Sequence, residues 1–188
     1  MRIVGGDWRG TALASPGRGD PGAALRPTAD RVRESLFNIL AHGRFGDPLA
    51  DARVLDLFAG TGALALEALS RGAAQATLVE NGRPAQRLIL NNIDRTGAGD
   101  RAQLVRDDAT RLRPNPGAPF DLIFLDPPYG RGMGETALRT ARDGGWLAPG
   151  ALVVWEEAAP QTGPEGFDTA DHRRFGQTHI TFLRFHSP

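Results

Sequence analysis

Short apolar runs alternate along the chain with longer segments in which apolar residues recur at helical spacing. The runs with the length of buried strands are residues 54–58, 76–80, 102–106, 120–125 and 151–155. The segments with helical spacing are residues 29–41, 64–69, 84–96 and 135–142. Because the strands are continuously apolar and alternate with helices, this pattern predicts a parallel sheet that is covered by helices on both faces.

Two segments outside this alternation predict hairpins at the ends of the chain. Near the carboxyl terminus, Ile180 and Phe182 alternate with polar residues after a turn signal at Phe175-Gly176. Near the amino terminus, strand-like pieces flank Gly5-Gly6-Asp7, and a loop rich in glycine and proline follows. We therefore predict an α/β fold, namely a doubly wound, Rossmann-like, seven-stranded and mostly parallel sheet with an antiparallel terminal hairpin and a small N-terminal hairpin and helix extension. The two predicted units are residues 1–27, a hairpin and loop, and residues 28–188, the main domain.

The amino-acid composition excludes several classes of protein. The 188 residues include no cysteine, which excludes disulfides and thiolate zinc sites, and the four histidines lack the spacing of metal ligands. No apolar run approaches the roughly 20 residues of a membrane span, and no signal peptide is visible. These features predict a cytoplasmic protein with no metal site and no membrane partner. Formal net charge is zero, but residues 1–33 hold six arginines against three acids.

The first predicted strand leads directly into a turn that contains Gly60 and Gly62, and a helix follows. Glycine accepts positive φ and lets a ligand lie against the backbone, although a plain tight turn would also use these two residues. Asp56 lies inside the apolar strand, where a carboxylate is costly unless it is paired, and it suits a cationic amino group. Glu80 ends the second strand, where a carboxylate can accept both hydroxyls of a ribose. An amino acid joined to a ribose describes S-adenosyl-L-methionine better than NAD.

This arrangement resembles the class I S-adenosylmethionine methyltransferases in its pattern Asp-x-Phe-x-Gly-x-Gly followed by Val-Glu. Phe58 and Asn81 belong to these two segments and complete the predicted cofactor site. Asp108, at the end of the third strand, is placed to accept a hydrogen bond from the adenine amino group, and the Ala109 amide to donate to the ring. An exposed acidic turn is the alternative for Asp107-Asp108.

A motif at Asp126-Pro127-Pro128-Tyr129 follows the fourth predicted strand, which lies beside the first strand in a doubly wound sheet. The two prolines remove two backbone donors, so the Asp126 carboxylate and the main-chain carbonyls remain as acceptors. Acceptors alone suit an NH2 group, and Tyr129 offers a flat face on which a base can stack. A structural turn with a capping tyrosine is the alternative, but the position beside a cofactor turn favours catalysis.

These residue types suit methyl transfer to an exocyclic amine, which is a poor nucleophile because its lone pair is delocalised into the ring. Hydrogen bonds from both N–H groups to Asp126 and to the Pro127 carbonyl would favour a pyramidal nitrogen and free that lone pair. Positioning supplies much of the remaining acceleration, and the base must be unpaired or flipped out to enter the pocket. The predicted catalytic residues are Asp126, Pro127, Pro128 and Tyr129.

A set of short motifs extends over nearly the whole chain. The set comprises Arg2-Ile3-Val4-Gly5-Gly6, Trp8-Arg9-Gly10, Arg26-Pro27-Thr28, Asp30 to Leu40, the glycine turn, Leu69-Ser70-Arg71-Gly72-Ala73, Val79-Glu80, Asp126-Pro127-Pro128-Tyr129 and Phe175-Gly176-Gln177-Thr178. It resembles the RsmD family of bacterial 16S rRNA guanine-N2 methyltransferases. The resemblance implies S-adenosyl-L-methionine as the methyl donor and one guanine of 16S rRNA, within the assembling small ribosomal subunit, as the acceptor. It also implies cofactor contacts at Asp56, Gly60, Gly62, Glu80 and Asp108, and contacts to the target base at Asp126, Pro127 and Tyr129.

The same resemblance implies that residues 1–27 face RNA, and we expect the protein to be a monomer. The residues predicted to contact RNA are Arg9, Arg26, Thr28, Arg31 and Arg33. A solvated helix face is the alternative for Arg31 and Arg33, which we expect to lie off the apolar stripe of the first helix. Asp7 departs from the family, in which many members carry a basic residue near the hairpin turn, and this departure weakens the prediction there.

Other functions match parts of the same pattern. Adenine-N6 methylation of DNA also uses Asp-Pro-Pro-Tyr, but 188 residues leave no room for a target-recognition domain, and protein glutamine methylation usually goes with Asn at position 126. An NAD-dependent oxidoreductase fits residues 60–65, which read G-x-G-x-x-A. A ribosome-assembly factor without catalytic activity would keep the fold and would not need Asp126.

Overall fold

A seven-stranded sheet with helices on both faces forms the centre of the protein, whose computed structural model describes residues 1–17 and 30–186. The strands are β1 (Arg53–Leu57), β2 (Gln75–Val79), β3 (Ala102–Val105), β4 (Phe120–Leu125), β5 (Leu147–Glu157), β6 (Phe167–Phe175) and β7 (Thr178–Phe185). The α-helices are α1 (Asp30–His42), α2 (Ala63–Ser70), α3 (Arg83–Thr96) and α4 (Met133–Asp143). None of these helices is long and apolar enough to cross a membrane.

The strand order is β3-β2-β1-β4-β5-β7-β6. Strands β1 to β5 pair in parallel, whereas β7 pairs antiparallel with β5 and with β6. This topology confirms the predicted doubly wound sheet with a terminal hairpin. The order reverses between β1 and β4, and the crevice at the carboxyl ends of the two strands flanking such a reversal is where open α/β sheets bind ligands.

Two apolar layers cover the two faces of the sheet. One layer contains the buried residues of α1, α2 and α3, and the other contains those of α4. Successive strand residues alternate between the layers, as with Val54 in the first layer and Leu55 in the second. We call the two faces the α1 face and the α4 face.

Observed and predicted element bounds differ at two places that matter for the site. Strand β1 ends at Leu57 because Phe58 has a φ of 62°, a left-handed conformation that no strand residue adopts. Strand β5 continues beyond the predicted end at Trp155 and includes Glu156 and Glu157. Both changes affect the carboxyl edge of the sheet.

Residues 1–14 form an antiparallel ribbon that packs along α2. Within this N-terminal ribbon, the Ile3 amide donates to the Thr11 carbonyl at 3.0 Å and the Gly10 amide to the Ile3 carbonyl at 2.9 Å. The ribbon turn reaches the last residue of α2, because the Asp7 amide donates to the Ser70 carbonyl at 2.8 Å. Since α2 starts just after the glycine turn, the ribbon turn lies at the end of α2 that is remote from the carboxyl edge of the sheet.

Candidate active site

The carboxyl ends of β1, β2 and β4 lie side by side. Leu57 pairs with Val79 on one side and with Leu125 on the other. The residues that follow these three positions are Phe58, Glu80 and Asp126, so the cofactor-like and acceptor-like motifs of the sequence meet at one edge. The amide of Asp126 also contacts the Leu57 carbonyl, at 3.4 Å.

The turn between β1 and α2 brings its backbone close to the sheet. Gly60 and Gly62 have φ values of 59° and 78°, which glycine adopts without strain. A Cβ atom on Gly62 would lie 2.8 Å from the Leu78 side chain, so a larger residue would displace this turn. The turn therefore depends on glycine both for its conformation and for its close approach to β2.

Glu80 ties the glycine turn to the start of α3. Its carboxylate accepts the Gly60 amide at 2.9 Å and the Gly82 amide at 2.7 Å. Each carboxylate oxygen has a second lone pair, so a bound ribose can share this carboxylate with the turn. Asn81 lies exposed beside Glu80. The predicted ribose contact at Glu80 stays a prediction, and its carboxylate is already held in a fixed position.

Asp56 is a buried carboxylate beneath the glycine turn. It accepts the Ala65 amide, in the first turn of α2, at 3.1 Å. Burial raises the pKa of Asp56 to about 7, and the charge of Glu80 adds to this effect, whereas the Ala65 hydrogen bond opposes it. A cationic amino group placed here would favour the ionised form, which is the role that the sequence predicts for Asp56.

This raised pKa gives the unliganded protein a pH-dependent stability. The folded pKa is higher than the ordinary 3.8, so the folded state binds more protons and stability falls as pH rises from about 4 to about 7. We expect Asp56→Asn, which resembles the neutral acid, to be more stable than wild type at pH 8 by about 2–4 kcal/mol and nearly equal to it at pH 4. Urea unfolding at the two pH values measures this difference. An equal difference at both pH values would contradict the assigned ionisation.

Asp108 and Ala109 follow β3 and begin a short 3-10 helix. The Asp108 carboxylate accepts the Thr110 amide at 2.9 Å and the Thr110 hydroxyl at 2.7 Å, and it pairs with Arg111 at 3.1 Å. The Thr110 hydrogen bonds are the main reason why the pKa of Asp108 is lowered. Asp108 thus has a helix-capping role that the sequence prediction did not include, and its contact with adenine stays a prediction.

The motif at 126–129 leaves β4 and faces the end of β5. Asp126 and Tyr129 are partly exposed, Pro127 is buried and Pro128 is exposed. The Tyr129 hydroxyl donates to the Glu156 carboxylate at 2.7 Å. Burial, followed by this hydrogen bond, raises the pKa of Tyr129 and keeps the hydroxyl protonated. The Tyr129 hydroxyl is therefore held against the carboxyl end of β5, by a contact that the sequence did not predict.

Glu156 and Glu157 are site residues that sequence reasoning missed. Both are 7% exposed, and Glu157 accepts the Gly130 amide at 3.2 Å. The signal was present as two adjacent carboxylates after the apolar run that ends at Trp155. The predicted strand ends at that tryptophan, so the prediction leaves the two glutamates outside the sheet.

Four carboxylates lie on one face of the sheet at its carboxyl edge. Residues Val54, Leu78, Phe124 and Val154 all belong to the apolar layer on the α1 face. Two positions further along the same strands, or just past their ends, stand Asp56, Glu80, Asp126 and Glu156. Burial raises the pKa of Asp126 well above its ordinary range, and the charges of Glu156, Asp56 and Glu157 raise it further. This edge consists of acceptors and suits a ligand that presents donors and positive charge.

The arginines predicted to contact RNA are not gathered at this edge. Arg9 belongs to the ribbon turn. Its neighbour Trp8 stacks against Arg101, which directly precedes β3 and therefore lies at the amino ends of the parallel strands. Arg31 is exposed on α1. Arg26 and Thr28 lie outside the described residues.

The prediction for Arg33 is wrong, because its side chain is 0% exposed. Its guanidinium contacts the Arg2 carbonyl and pairs with Asp30 at 2.8 Å and with Glu67 at 3.7 Å. Glu67 is also 0% exposed and accepts the Val4 amide at 2.8 Å. Arg33 therefore fastens the N-terminal ribbon to α1 and α2 and presents no surface to RNA.

Asn92 connects the base of the N-terminal ribbon to the glycine turn. This buried side chain accepts the Ala14 amide at 2.6 Å and donates to the carbonyls of Ala14, at 3.1 Å, and Thr61, at 2.9 Å. The Met1 sulfur accepts the Thr61 hydroxyl at 3.7 Å. The two ends of the ribbon thus support the turn that is predicted to hold the cofactor.

Comparisons with known proteins show the family and the fold to which this chain is similar. A model of the family described as "Conserved hypothetical protein 95" matches residues 1–184. The chain is 46% identical over 156 residues to "Ribosomal RNA small subunit methyltransferase D" of Escherichia coli (strain K12), covering 83% of this chain and 74% of that relative. The solved structure named "Putative methyltransferase yhhF from Escherichia coli" is 39% identical, with a TM-score of 0.84 over 100% of this chain and 99% of that one. An RNA methyltransferase from Salinibacter ruber, in complex with S-adenosyl-L-homocysteine, is 13% identical with a TM-score of 0.66 over 87% of this chain and 95% of that one, and it shares the fold.

Proposed function

This chain belongs to the family described as Conserved hypothetical protein 95, also called the RsmD family, and from that premise we propose that it methylates the N2 atom of one guanine in 16S rRNA. The methyl donor is S-adenosyl-L-methionine, and the protein acts as a monomer in the cytoplasm on the assembling small ribosomal subunit. The name of the relative that is 46% identical supports an rRNA substrate.

The observation that carries this proposal is the meeting of two different motifs at neighbouring strand ends. Asp56, on β1, and Asp126, just after β4, lie on the same face of adjacent strands, and the charge of Asp56 raises the pKa of Asp126. One motif suits a cationic amino acid and a ribose, whereas the other suits an amino group on a base. Methyl transfer needs these two ligands side by side.

The residues of the glycine turn suit S-adenosyl-L-methionine. The turn has no side chain at Gly60 to obstruct a ligand, and Glu80 holds a carboxylate beside it at a distance of 2.9 Å from the Gly60 amide. Asp56 provides a buried carboxylate for an amino group. The cofactor, when bound, supplies an electrophilic methyl group on a positively charged sulfur, and an edge composed of carboxylates stabilises that charge.

The chain's own residues orient the acceptor amine. The Asp126 carboxylate and the Pro127 carbonyl accept its two N–H groups, which turns the nitrogen lone pair towards the cofactor side of the edge. Tyr129 stacks on the base, and its hydroxyl remains fixed to Glu156. The methylated nitrogen is acidic and loses its proton readily, so no strong general base is required.

The carboxylates at this edge favour guanine over adenine. Guanine presents its N1–H beside the N2 amino group, so the edge that enters the pocket carries three N–H hydrogens. Adenine presents an unprotonated ring nitrogen beside its N6 amino group. Carboxylate oxygens from Asp126 and Glu156 would repel that nitrogen and attract the N1–H of guanine. This contrast supports guanine-N2 as the acceptor.

Methyl transfer to small subunits that lack this modification tests the proposal. We expect the purified protein with labelled S-adenosyl-L-methionine to place label on 16S rRNA, and mass-spectrometric mapping to find it on the N2 atom of one guanine. Label on adenine would contradict the guanine assignment. A protein that binds S-adenosyl-L-homocysteine but transfers no label to subunits or to free 16S rRNA would contradict the proposed function.

A further inference from the structure

A pocket bounded by carboxylates repels the phosphates of the RNA that it must receive. Glu156 and Glu157 accept hydrogen bonds from Tyr129 and Gly130, in the segment that follows Asp126, and the charges of both glutamates act on Asp126. RNA carries a negative charge at every nucleotide, so cations near this edge are needed to offset the repulsion. Arg33 is buried and Arg9 lies at the opposite end of α2, so neither supplies that charge.

The β6–β7 hairpin adjoins the loop that follows the catalytic motif. Thr178, the first residue of β7, lies beside the Tyr129 hydroxyl, where it opposes the rise of the tyrosine pKa. The amide of the next loop residue, Gly130, donates to the Glu157 carboxylate. Glu157 lies opposite His179 in the pairing of β5 with β7. The tip of the hairpin is therefore held directly against the loop of Tyr129.

Two arginines lie on either side of this contact. Arg131 is exposed in the loop, between two glycines with positive φ. Arg174 is exposed on β6 and pairs with His179, next to Glu157. The Arg174 Nε donates to the Gly176 carbonyl at 2.8 Å, which fixes the guanidinium and leaves its terminal amino groups directed away from that bond. Arginine held in this way is suited to bind a phosphate through two hydrogen bonds.

A neighbouring arginine on the same strand differs from Arg174 in the face that it occupies and in having a carboxylate partner. Arg173 belongs to the opposite face of the hairpin, because side chains alternate along a strand. It is paired with Asp171 at 2.8 Å, so its charge is largely neutralised. Arg174 has no carboxylate partner among the described residues.

We propose that Arg131 and Arg174 form a phosphate-binding pair that holds the RNA backbone beside the flipped guanine. The proposal rests on the proposed function and adds a contact that lies on the α4 face of the strand edge, apart from the N-terminal ribbon. The two guanidinium groups offset the repulsion of the acidic pocket.

The salt dependence of RNA binding tests this pair. For the full-length protein, the affinity for unmethylated small subunits is measured between about 50 and 300 mM KCl for wild type, R131A, R174A, the double variant, R174K and R173A. We expect each Arg→Ala change at positions 131 and 174 to make the negative slope of log K against log salt shallower by about 0.7–0.9. The double variant should make it shallower by about twice that amount. R174K should keep the wild-type slope, and R173A should resemble wild type.

The outcomes separate this inference from the proposed function. Affinity for S-adenosyl-L-homocysteine should be the same in all variants, which shows that the fold and the cofactor site are intact. Methyl transfer by wild type together with an unchanged slope in the double variant would overturn the phosphate-binding pair alone. An equal loss of slope in R173A would also overturn it, by showing a diffuse effect of charge. Absence of methyl transfer by wild type would instead contradict the proposed function.

Discussion

Replacing Asp126 by Ala should lower kcat for methyl transfer by about 10²–10³-fold, while affinity for S-adenosyl-L-homocysteine changes by less than about threefold. The carboxylate lies at the end of β4, beside the glycine turn, where it can contact the acceptor amine. Removal of one oriented polar group that acts in a transition state typically has this effect. Single-turnover rates with saturating subunits, together with calorimetry for the cofactor product, separate the two quantities.

A matched control for this change is available on the same strand. Asp121 is exposed at the opposite end of β4 and accepts the Arg53 amide at 3.0 Å. Asp121→Ala should keep nearly full activity. Retention of more than a tenth of the wild-type kcat by Asp126→Ala would contradict the assigned role and would favour an assembly factor that does not depend on catalysis.

The pH dependence of the wild type gives an independent measure of the same carboxylate. Burial and the neighbouring charges of Glu156, Asp56 and Glu157 raise the pKa of Asp126. A protonated carboxyl group loses part of its capacity to accept hydrogen bonds, so kcat/KM should fall as pH decreases through this raised pKa. The fall should begin at a higher pH than an ordinary aspartate would give.

Replacing Glu67 by Ala should lower the free energy of unfolding by about 3–5 kcal/mol. Glu67 is 0% exposed, pairs with Arg71 at 2.7 Å and with Arg33 at 3.7 Å, and accepts the Val4 amide at 2.8 Å. Its removal leaves the buried positive charge of Arg33 with one fewer carboxylate partner. Removing one partner of a buried ion pair destabilises a protein by about this amount. The N-terminal ribbon should detach first, because one of its backbone amides loses an acceptor.

An exposed pair with the same geometry serves as the control. Glu135 and Arg139 on α4 are also four residues apart and 2.7 Å apart, but both side chains are about half exposed. Glu135→Ala should change stability by less than about 1 kcal/mol. Denaturant unfolding measures both variants, and hydrogen exchange at the Val4 amide reports the state of the ribbon. Equal effects of the two changes on the free energy of unfolding would contradict the argument that burial makes the ion pairs of Glu67 more important for stability than an exposed pair.

Apolar periodicity determined the arrangement of the sheet. Short continuous apolar runs that alternate with segments of helical spacing indicate strands buried on both faces, and parallel strands need helical crossovers between them. The glycine turn and the motif at Asp126 were visible for a related reason, since each interrupts or follows an apolar run with residues that a buried strand does not otherwise tolerate. Strand β4 beside β1 then follows from the doubly wound topology, and the structure shows that pairing.

The sequence by itself therefore determined the fold, the edge at which the motifs meet and the residue types that belong to the motifs. Only the tertiary structure decided which charged side chains are buried and which partners they have. Arg33 and Glu67 resemble surface residues in a linear pattern, but the ribbon and two helices enclose them together. Glu156 reaches Tyr129 across 27 positions of sequence. Local spacing records only neighbours along one element, whereas pairing between charges depends on which elements the fold brings into contact.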